Sequence, residues 1–413
     1  MSHRLEHLLP NGLLLLVEPL ARLAVATHLV LPVGTAHDAR GAEGTARLLH
    51  AWCQRGAGGR DTRALNEALE NLGAARGGSA GRQATNWSLT CLADDWAKAL
   101  PLLADTILDP RLPADEFEPV RQLALAELSG LDDQPARKLG VELTARYFPG
   151  DFGRGALGSS ETLSAATPDA LRAAWRAQYQ PAGAVLSVAG GVDPDEAIAR
   201  LTDAFGSWAG APPAPLAVEP RIGAHYEHVT ASTEQVHIGL ASPAVPPTDA
   251  NRYQASVASA VLSGGMGARL FTEVREKRGL CYSVGSRLQM IAGHGYQLTQ
   301  AGTTTERSAE TLEVTLGELR RLAGSVTAEE VERARVGLLS NEVMAEESTG
   351  ARAGRAAQDW WLLGRVRSAA EVRAGLEAVT ATSVNDYLAA HEPAGYTVVT
   401  LGTGFDWPAG LSL

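Results

Sequence analysis

The chain alternates between short apolar runs and longer stretches in which apolar residues recur at helical spacing. Apolar runs of the β type occupy residues 13–17, 24–31, 87–92, 184–189 and 235–240. Helical spacing, as for Leu48, Leu49 and Trp52, predicts helices over 44–54, 63–72, 96–108, 114–131 and 168–178. Because strands and helices do not alternate strictly, this order of elements indicates an α+β fold.

Two pairs of similar segments indicate an internal duplication. PADEFEPVRQLALAEL from Pro113 matches TAEEVERARVGLLSNE from Thr327, 214 positions later, with the identical pairs Ala114/Ala328, Glu116/Glu330, Glu118/Glu332, Arg121/Arg335 and Leu125/Leu339. Further on, Pro181-Ala182-Gly183 matches Pro393-Ala394-Gly395, 212 positions later. Two matches in the same order at nearly the same offset are the signature of a repeat.

A stretch rich in proline and glycine, WAGAPPAPL at residues 208–216, separates the two halves. Such a composition interrupts both helices and strands and is typical of a semi-rigid spacer. We therefore predict two homologous domains, 1–213 and 214–413, each of ordinary domain size.

Composition and charge exclude several classes of protein. The formal net charge of −11 argues against a nucleic-acid partner, which would require a basic face. The three cysteines, Cys53, Cys91 and Cys281, lack metal-ligand spacing and are expected to be buried free thiols. No apolar run approaches the length of a membrane span, and no basic region precedes the first one. We expect a cytoplasmic protein without a membrane partner.

Several strings resemble the zinc peptidases of the pitrilysin and mitochondrial processing peptidase family. LPNGLLLLVEP resembles the first strand of that family, and GGMGARLFTEVREKRGLCYSV, residues 264–284, resembles its C-terminal signature. The resemblance implies two homologous domains, each a mostly antiparallel sheet packed with helices, that together form half of a clamshell. It also implies a zinc motif, HxxEH, in which two histidines hold the ion and the glutamate activates a zinc-bound water.

The motif is degenerate in this sequence. The helix reads GTARLLHAW, so Arg47 replaces the first histidine, His50 the glutamate and Ala51 the second histidine. The remaining family ligand is matched by Glu127, which lies 76 residues after Ala51. Because a zinc site needs three protein ligands and an open position, we expect no metal, no cofactor and no catalytic residues of its own in this chain.

The second half retains the other functional part of the family pattern. The resemblance implies that Arg278 and Tyr282 reach the zinc site of an opposing domain, where they position substrate and stabilise a developing oxyanion. Their spacing of four residues would place both side chains on one face of a helical turn. The loop with Gly264, Gly265 and Gly267 is expected to lie near the path of the peptide.

These residues predict a catalytically inactive subunit of a heterodimeric zinc metallopeptidase. The expected partners are a homologous subunit that carries the zinc, and a peptide substrate. A homodimer is possible when the chain is isolated.

Two alternatives remain open. The first is a structural or assembly subunit without a catalytic part. The second is an active zinc metalloendopeptidase that uses the degenerate site or His3 and His7 of a literal HxxEH string near the start. Turn residues at Pro10-Asn11-Gly12 argue against a metal helix there. The string GGSAG at 77–81 matches the hydrolase pattern GxSxG, but it lies between a predicted helix and a strand, so we expect a flexible connection.

Overall fold

The computed structural model of the protein describes residues 4–211, 214–393 and 395–413. These residues form two compact units. The first unit contains the described residues up to Ser129, together with Arg154–Leu216 and Ala345–Arg367. The second unit contains Gly130–Gly153, Ala217–Met344 and the described part of Ser368–Leu413. Each unit therefore includes one segment from the opposite half of the sequence. The predicted domain boundary between residues 213 and 214 was placed from the sequence duplication, whereas the two units are defined by contacts in the folded chain. Pro213 lies outside the described residues.

The first unit is built on a six-stranded sheet. Its strands are β1 (Leu5–Leu8), β2 (Leu14–Pro19), β3 (Ala24–Leu31), β4 (Ala75–Ala80), β5 (Thr85–Leu92) and β6 (Val185–Gly190). Their spatial order is β1-β2-β6-β3-β5-β4. The β2–β6 pair is parallel and the other neighbouring pairs are antiparallel.

The second unit is built on a five-stranded sheet with the same arrangement. Its strands are β7 (His225–Thr230), β8 (Val236–Ala244), β9 (Cys281–Ile291), β10 (His294–Thr303) and β11 (Thr397–Gly402). They lie in the order β7-β11-β8-β10-β9, with β7 and β11 parallel and the rest antiparallel. This order reproduces β2-β6-β3-β5-β4 of the first sheet strand by strand. The α+β fold with two mostly antiparallel, duplicated sheets is confirmed.

Fourteen α-helices are described. The first eight are α1 (Thr45–Cys53), α2 (Thr62–Glu70), α3 (Ala93–Leu108), α4 (Ala114–Ser129), α5 (Pro135–Tyr147), α6 (Ser160–Ala165), α7 (Pro168–Gln178) and α8 (Pro194–Phe205). The others are α9 (Arg252–Ser263), α10 (Ser308–Arg321), α11 (Ala328–Glu346), α12 (Thr349–Leu363), α13 (Ala369–Glu377) and α14 (Ala381–Ala390). A π-helical segment covers Phe271–Glu276. None of the described helices is long and apolar enough to cross a membrane.

Local sequence explains where many of these elements begin and turn. Polar side chains cap seven helices by accepting a backbone N–H of the first turn, namely Asp61, Ser159, Thr167, Asp193, Ser348, Ser368 and Thr380. The β9–β10 hairpin turns through Ala292 and Gly293, whose φ angles are 45° and 85°. Positive φ at both central residues is the requirement of a tight type I′ hairpin turn.

Duplicated residues make equivalent contacts in the two units. Arg121 on α4 donates a hydrogen bond to the carbonyl of Ala166, between α6 and α7. Arg335 on α11 donates to the carbonyl of Glu377, the last residue of α13. Each arginine also pairs with the glutamate three positions before it. The sequence match at the offset of 214 thus corresponds to a repeated structural role. In the second match, Ala394 lies outside the described residues.

One helix from the opposite sequence half covers a face of each sheet. Helix α5 packs on β8 and β11, and α12 packs on β3 and β6. A Cβ atom at Gly239 of β8 would lie only 3.1–3.3 Å from Leu139 and Leu143 of α5. Alanines 353, 356 and 357 of α12 are buried against the first sheet. Small residues on the sheet or on the helix therefore allow the close approach that each helix needs.

Most predicted elements are observed. The strand over 24–31 and the helix over 168–178 have the predicted bounds, as β3 and α7. Helix α3 starts at Ala93 instead of residue 96, because Asp94 and Asp95 are favourable in a first turn. The three cysteines are buried and free, as expected. The prediction of a flexible connection over 77–81 is wrong, since residues 77–80 belong to the edge strand β4 and pair with β5. Its glycines weaken the strand signal in the sequence.

A buried ion pair connects α12 to the first sheet. The carboxylate of Glu18 on β2 is 4% exposed and accepts hydrogen bonds from Arg352 of α12 and from Arg4 Nη2, the latter at 2.9 Å. Burial acts to raise the pKa of Glu18, but the hydrogen bonds and charges of the two arginines outweigh it and lower the pKa. Glu18 is therefore a charged group whose burial depends on both arginines.

We predict that Arg352→Met lowers the free energy of unfolding by about 3 kcal/mol, because it removes a cation that pairs with the buried Glu18 charge. Adding Glu18→Gln should recover part of this loss, so the two effects are not additive. Urea unfolding of the single and double variants measures the coupling. Arg22→Met is the matched control, since the exposed Arg22–Glu347 pair should contribute less than about 1 kcal/mol. Additive losses in the double variant would contradict the prediction.

Candidate functional site

The start of α1 is held by a buried carboxylate. Asp38 accepts hydrogen bonds from the backbone N–H groups of Gly44 and Ala46, each at 2.9 Å. Gly44 has φ of +95°, which a glycine adopts without strain. Arg154 donates to the carbonyl of Asp38 at 2.6 Å. These contacts fix the direction of α1, and with it the side chains of the degenerate motif.

The four predicted motif positions line a single cavity. Arg47, His50 and Ala51 of α1 and Glu127 of α4 line a space of about 290 Å³. Apolar side chains and the edge strand β4 complete the walls, among them Leu48, Val120, Leu123, Leu163 and Ala80. The sequence comparison therefore identified residues that the fold brings together, although they are up to 80 positions apart.

Arg47 and Glu127 form an ion pair across this cavity. Nη2 of Arg47 lies 2.8 and 2.7 Å from the two carboxylate oxygens of Glu127. Both side chains remain partly exposed, so the pair is expected to contribute no more than about 1 kcal/mol to stability. Its main consequence is chemical, because a permanent cation lies against the carboxylate that matches the family's third zinc ligand.

His50 is directed into the core. Its ring is 7% exposed and packs on Trp87 with ring centroids 4.2 Å apart. Nδ1 lies 3.4 Å from Nε2 of Gln54, and Nε2 of the imidazole has no hydrogen bond of standard geometry among the described residues. Burial lowers the pKa of His50 to about 4, and the charges of Arg47 and Arg76 act in the same direction. The ring is therefore neutral at pH 7.

The residues present do not fit a zinc ion. Arg47 and Ala51 offer no ligand atom, and the carboxylate of Glu127 is already held by Arg47. His50 packs on Trp87. Within residues 4–211, 214–393 and 395–413, no group of three histidine, cysteine, aspartate or glutamate side chains could hold a metal. Zinc requires at least three such protein ligands.

Arg278 and Tyr282 lie in the second unit, but they do not share a helical turn. Arg278 follows the π-helical segment, Gly279 then adopts φ of +58°, and Tyr282 is on β9. The expectation of a common helical face is therefore wrong, because Gly279 ends the helix between them. Both side chains are at the surface, with Tyr282 79% exposed and the Arg278 side chain 38% exposed.

Two neighbouring residues hold this pair and were not identified from the sequence. Glu273 accepts from Nη1 of Arg278 at 2.9 Å with its carboxylate and at 2.7 Å with its carbonyl. The guanidinium of Arg275 lies 5.3 Å from the ring centroid of Tyr282 and 4.7 Å from that of Phe271. The four-residue spacing of Phe271 and Arg275 was the available signal for the second contact. The contact with Tyr282 depends on the turn at Gly279.

The glycine loop 264–267 precedes this pair. Gly264 ends α9, where a Cβ atom would lie 2.5 Å from the carbonyl oxygen of Ala260. A Cβ atom at Gly265 would meet nothing within 4 Å, and Met266 is exposed. Gly267 accepts a hydrogen bond from Arg333 through its carbonyl at 3.0 Å. Close packing requires glycine at 264, whereas the space at 265 is open.

The literal HxxEH string near the start is not a metal helix. Leu5–Leu8 forms the strand β1, paired with β2, and its Glu6 and His7 are exposed neighbours. Successive residues of a strand point to opposite faces, which separates these two side chains. His3 lies outside the described residues.

We predict that His50 makes the protein less stable as the pH falls from 6.5 to 4. In this interval the unfolded chain binds a proton at residue 50, whereas the folded protein does not. The contribution amounts to up to about 3 kcal/mol of unfolding free energy. His50→Gln should remove it, so the wild type and the variant should have different slopes of stability against pH.

The measurement is urea unfolding of both proteins across this range. Taking the difference between the two proteins cancels the effect of Asp38, which has the opposite sign. Burial raises the pKa of Asp38 to about 7, despite hydrogen bonds from Ala46 and Gly44. Parallel curves for the wild type and His50→Gln would contradict the prediction.

Two family profiles match the chain. Residues 20–151 match the description "Insulinase (Peptidase family M16)", and residues 165–338 match "Peptidase M16 inactive domain". The second match begins before α7 and ends within α11. It therefore includes the glycine loop, Arg278 and Tyr282.

Similar proteins cover nearly the whole chain. An uncharacterized zinc protease of Mycobacterium tuberculosis is 30% identical over 388 residues, which cover 91% of this chain and 88% of that protein. An uncharacterized zinc protease of Streptomyces coelicolor is 29% identical over 388 residues, covering 91% of this chain and 84% of its own.

A solved structure, described as the peptidase M16 inactive domain from Pseudomonas fluorescens, has the same fold. It matches with a TM-score of 0.90 at 22% identity and covers 99% of this chain and 100% of its own. The profiles and relatives agree on the family, and the solved structure agrees with the duplicated fold. The chain is therefore a member of peptidase family M16 that lacks the family's zinc motif.

Proposed function

We propose that this chain is the catalytically inactive subunit of a heterodimeric zinc metallopeptidase. The observation that supports the proposal is the Arg47–Glu127 ion pair, formed by two residues at positions where the family resemblance implies zinc ligands. The neutral, buried His50 stands where a general base is required, and its low pKa and burial make it a poor one. A homologous subunit would supply the zinc, the two histidines and the glutamate.

Arg278 and Tyr282 are the residues that this chain would contribute to the partner's zinc site. Both reach solvent, and the hydroxyl of Tyr282 makes no hydrogen bond with the described residues. The carboxylate of Glu273 accepts a hydrogen bond from Arg278, and the guanidinium of Arg275 lies over the ring of Tyr282. Two such donors, aimed at the oxygen where charge develops during attack on a peptide bond, stabilise the transition state more than the ground state.

The glycine loop 264–267 would lie beside the bound peptide. The open space at Gly265 would allow a peptide backbone to pass close to the main chain. Extended peptides bind by pairing with exposed backbone groups, which gives affinity without a demand on sequence. The acidic chain, with a net charge of −11, favours basic over acidic peptides through long-range attraction.

A cytoplasmic location is part of the same proposal.

We predict that the chain alone has no peptidase activity, and that activity appears when it is mixed with a homologous zinc-bearing subunit. In the mixed enzyme, Arg278→Ala should lower kcat/KM by roughly 10²-fold, because one oxyanion donor is lost. Tyr282→Phe should act in the same direction. Activity is measured on a fluorogenic peptide, and assembly by size-exclusion chromatography.

Arg63→Ala is the matched control, since Arg63 is an exposed arginine paired with a glutamate of its own helix. It should leave both activity and assembly unchanged. Normal activity of the Arg278→Ala and Tyr282→Phe complexes would favour a structural or assembly subunit instead. A complex of two identical chains with no heterodimer would show that the isolated protein pairs with itself.

We also predict that zinc binding can be restored. The triple variant Arg47→His, His50→Glu and Ala51→His places two histidines one turn apart on α1, facing the same cavity as Glu127. It should bind about one zinc per chain, whereas the wild type should hold almost none. Elemental analysis of tag-free protein measures the ratio, and a peptidase assay is run on the same sample.

The double variant Arg47→His and Ala51→His keeps His50. It separates metal binding from catalysis, because it gains the two histidine ligands without the glutamate base. It should bind zinc and stay inactive. One zinc per wild-type chain, with cleavage that a chelator abolishes, would mean that the chain is an active metalloendopeptidase and that the proposal is wrong.

A further inference from the structure

The second unit contains a cavity that the proposed function does not use. It measures about 230 Å³ and lies between the sheet and helices α9, α10 and α14. Its walls include Ala258 and Ser259 of α9, Leu322 after α10, and Tyr387 of α14. A cavity of roughly 150 Å³ already holds a molecule of the size of benzene. The space is therefore sufficient for a ligand with a single ring or a short chain.

The core around the cavity contains fewer aromatic side chains than the main core of the first unit. Among the described residues, the main core of the first unit buries the aromatic residues Trp52, Trp87, Trp96, Phe117, Tyr179, Phe205 and Trp208. In the second unit, again among the described residues, one core cluster buries a single aromatic residue, Tyr387, and a second cluster buries Tyr396. An unfilled cavity lowers stability in proportion to its volume. A bound ligand would offset this loss.

The cavity is also lined by the amide of Gln297. Nε2 of Gln297 on β10 donates to Ser259 Oγ at 3.0 Å and to Ser286 Oγ at 2.7 Å. These bonds fix the orientation of the amide. Among the described residues, Oε1 of Gln297 receives no hydrogen bond. Apolar side chains, including Leu262, Leu288 and Leu322, surround this group.

The mouth of the cavity has an arginine without an acidic partner. Arg320 donates through Nη2 to the carbonyl of Ser412 at 2.6 Å, and its guanidinium lies 5.9 Å from the ring centroid of Tyr396. No ion pair among the described residues includes Arg320. Glu392 also lines the cavity, but its side chain is exposed to solvent. A carboxylate at the mouth would thus be favoured by Arg320 and opposed by Glu392.

From this arrangement we infer that the cavity binds a small monocarboxylic acid with an apolar body. The apolar part lies against the alanine and leucine side chains, and the carboxylate pairs with Arg320 at the mouth. An aryl- or alkyl-carboxylate longer than benzoate fits both features. The site is independent of the degenerate zinc motif and of Arg278 and Tyr282.

The test uses 3-phenylpropionate and its uncharged analogue 3-phenylpropanol on the full-length protein, with binding measured by calorimetry and by ligand-observed NMR. The wild type should bind both, and the acid more tightly. Arg320→Gln should weaken binding of the acid roughly tenfold, because a charged hydrogen bond is lost, and should not affect the alcohol. Glu392→Gln should strengthen binding of the acid and likewise leave the alcohol unchanged.

Arg321→Gln is the matched control, because Arg321 is the adjacent arginine, pairs with Glu318 and does not line the cavity. It should bind both compounds like the wild type. Ala258→Leu, which fills the space, should abolish binding of both. If that variant does not fold, the charge variants at the exposed mouth still decide the question. Failure of the wild type to bind at millimolar concentration, or equal binding of the acid by all variants, would overturn the inference.

Discussion

The close approach of one helix to each sheet is the constraint on which the rest of the structure depends. Helices α5 and α12 each cover a sheet made mainly by the other half of the sequence, and small residues such as Gly239 and Ala356 allow the contact. A larger side chain at these positions would hold the helix and the sheet apart, so both helix–sheet contacts require small residues. The buried Glu18 and Arg352 add a polar contact on one of them. The chain thus folds into units that do not coincide with its repeats.

Within this frame, a single ion pair changes what the metal cavity can do. The fold still brings α1 and α4 together around a cavity, with a carboxylate on one side, as the family resemblance implies. Arg47 then neutralises that carboxylate without offering a ligand, and the imidazole of His50 packs into the core instead of facing a substrate. The packing of α1 against α4 depends on many residues, whereas a zinc site depends on three or four ligand atoms, which these residues do not supply.

The two duplicated units have diverged in different ways. The first retains a dense aromatic core and a degenerate site, whereas the second retains exposed polar residues and a loosely filled core. Arg278 and Tyr282 lie on either side of a glycine turn, where Glu273 contacts the first and Arg275 the second.

The sequence by itself determined the α+β class, the duplication, most strands and helices, and the four positions that line the degenerate cavity. The fold class, the duplication and the elements follow from local periodicity and from residue identity at fixed offsets, as the bounds of β3 and α7 illustrate. The four cavity positions follow from the resemblance to the zinc peptidase family. Only the tertiary structure decided that α5 and α12 pack across the halves, and that GGSAG is an edge strand. It also decided that Gly279 separates Arg278 from Tyr282, and that Arg47 reaches Glu127. Contacts between residues distant in sequence depend on packing and backbone direction, which local periodicity does not encode.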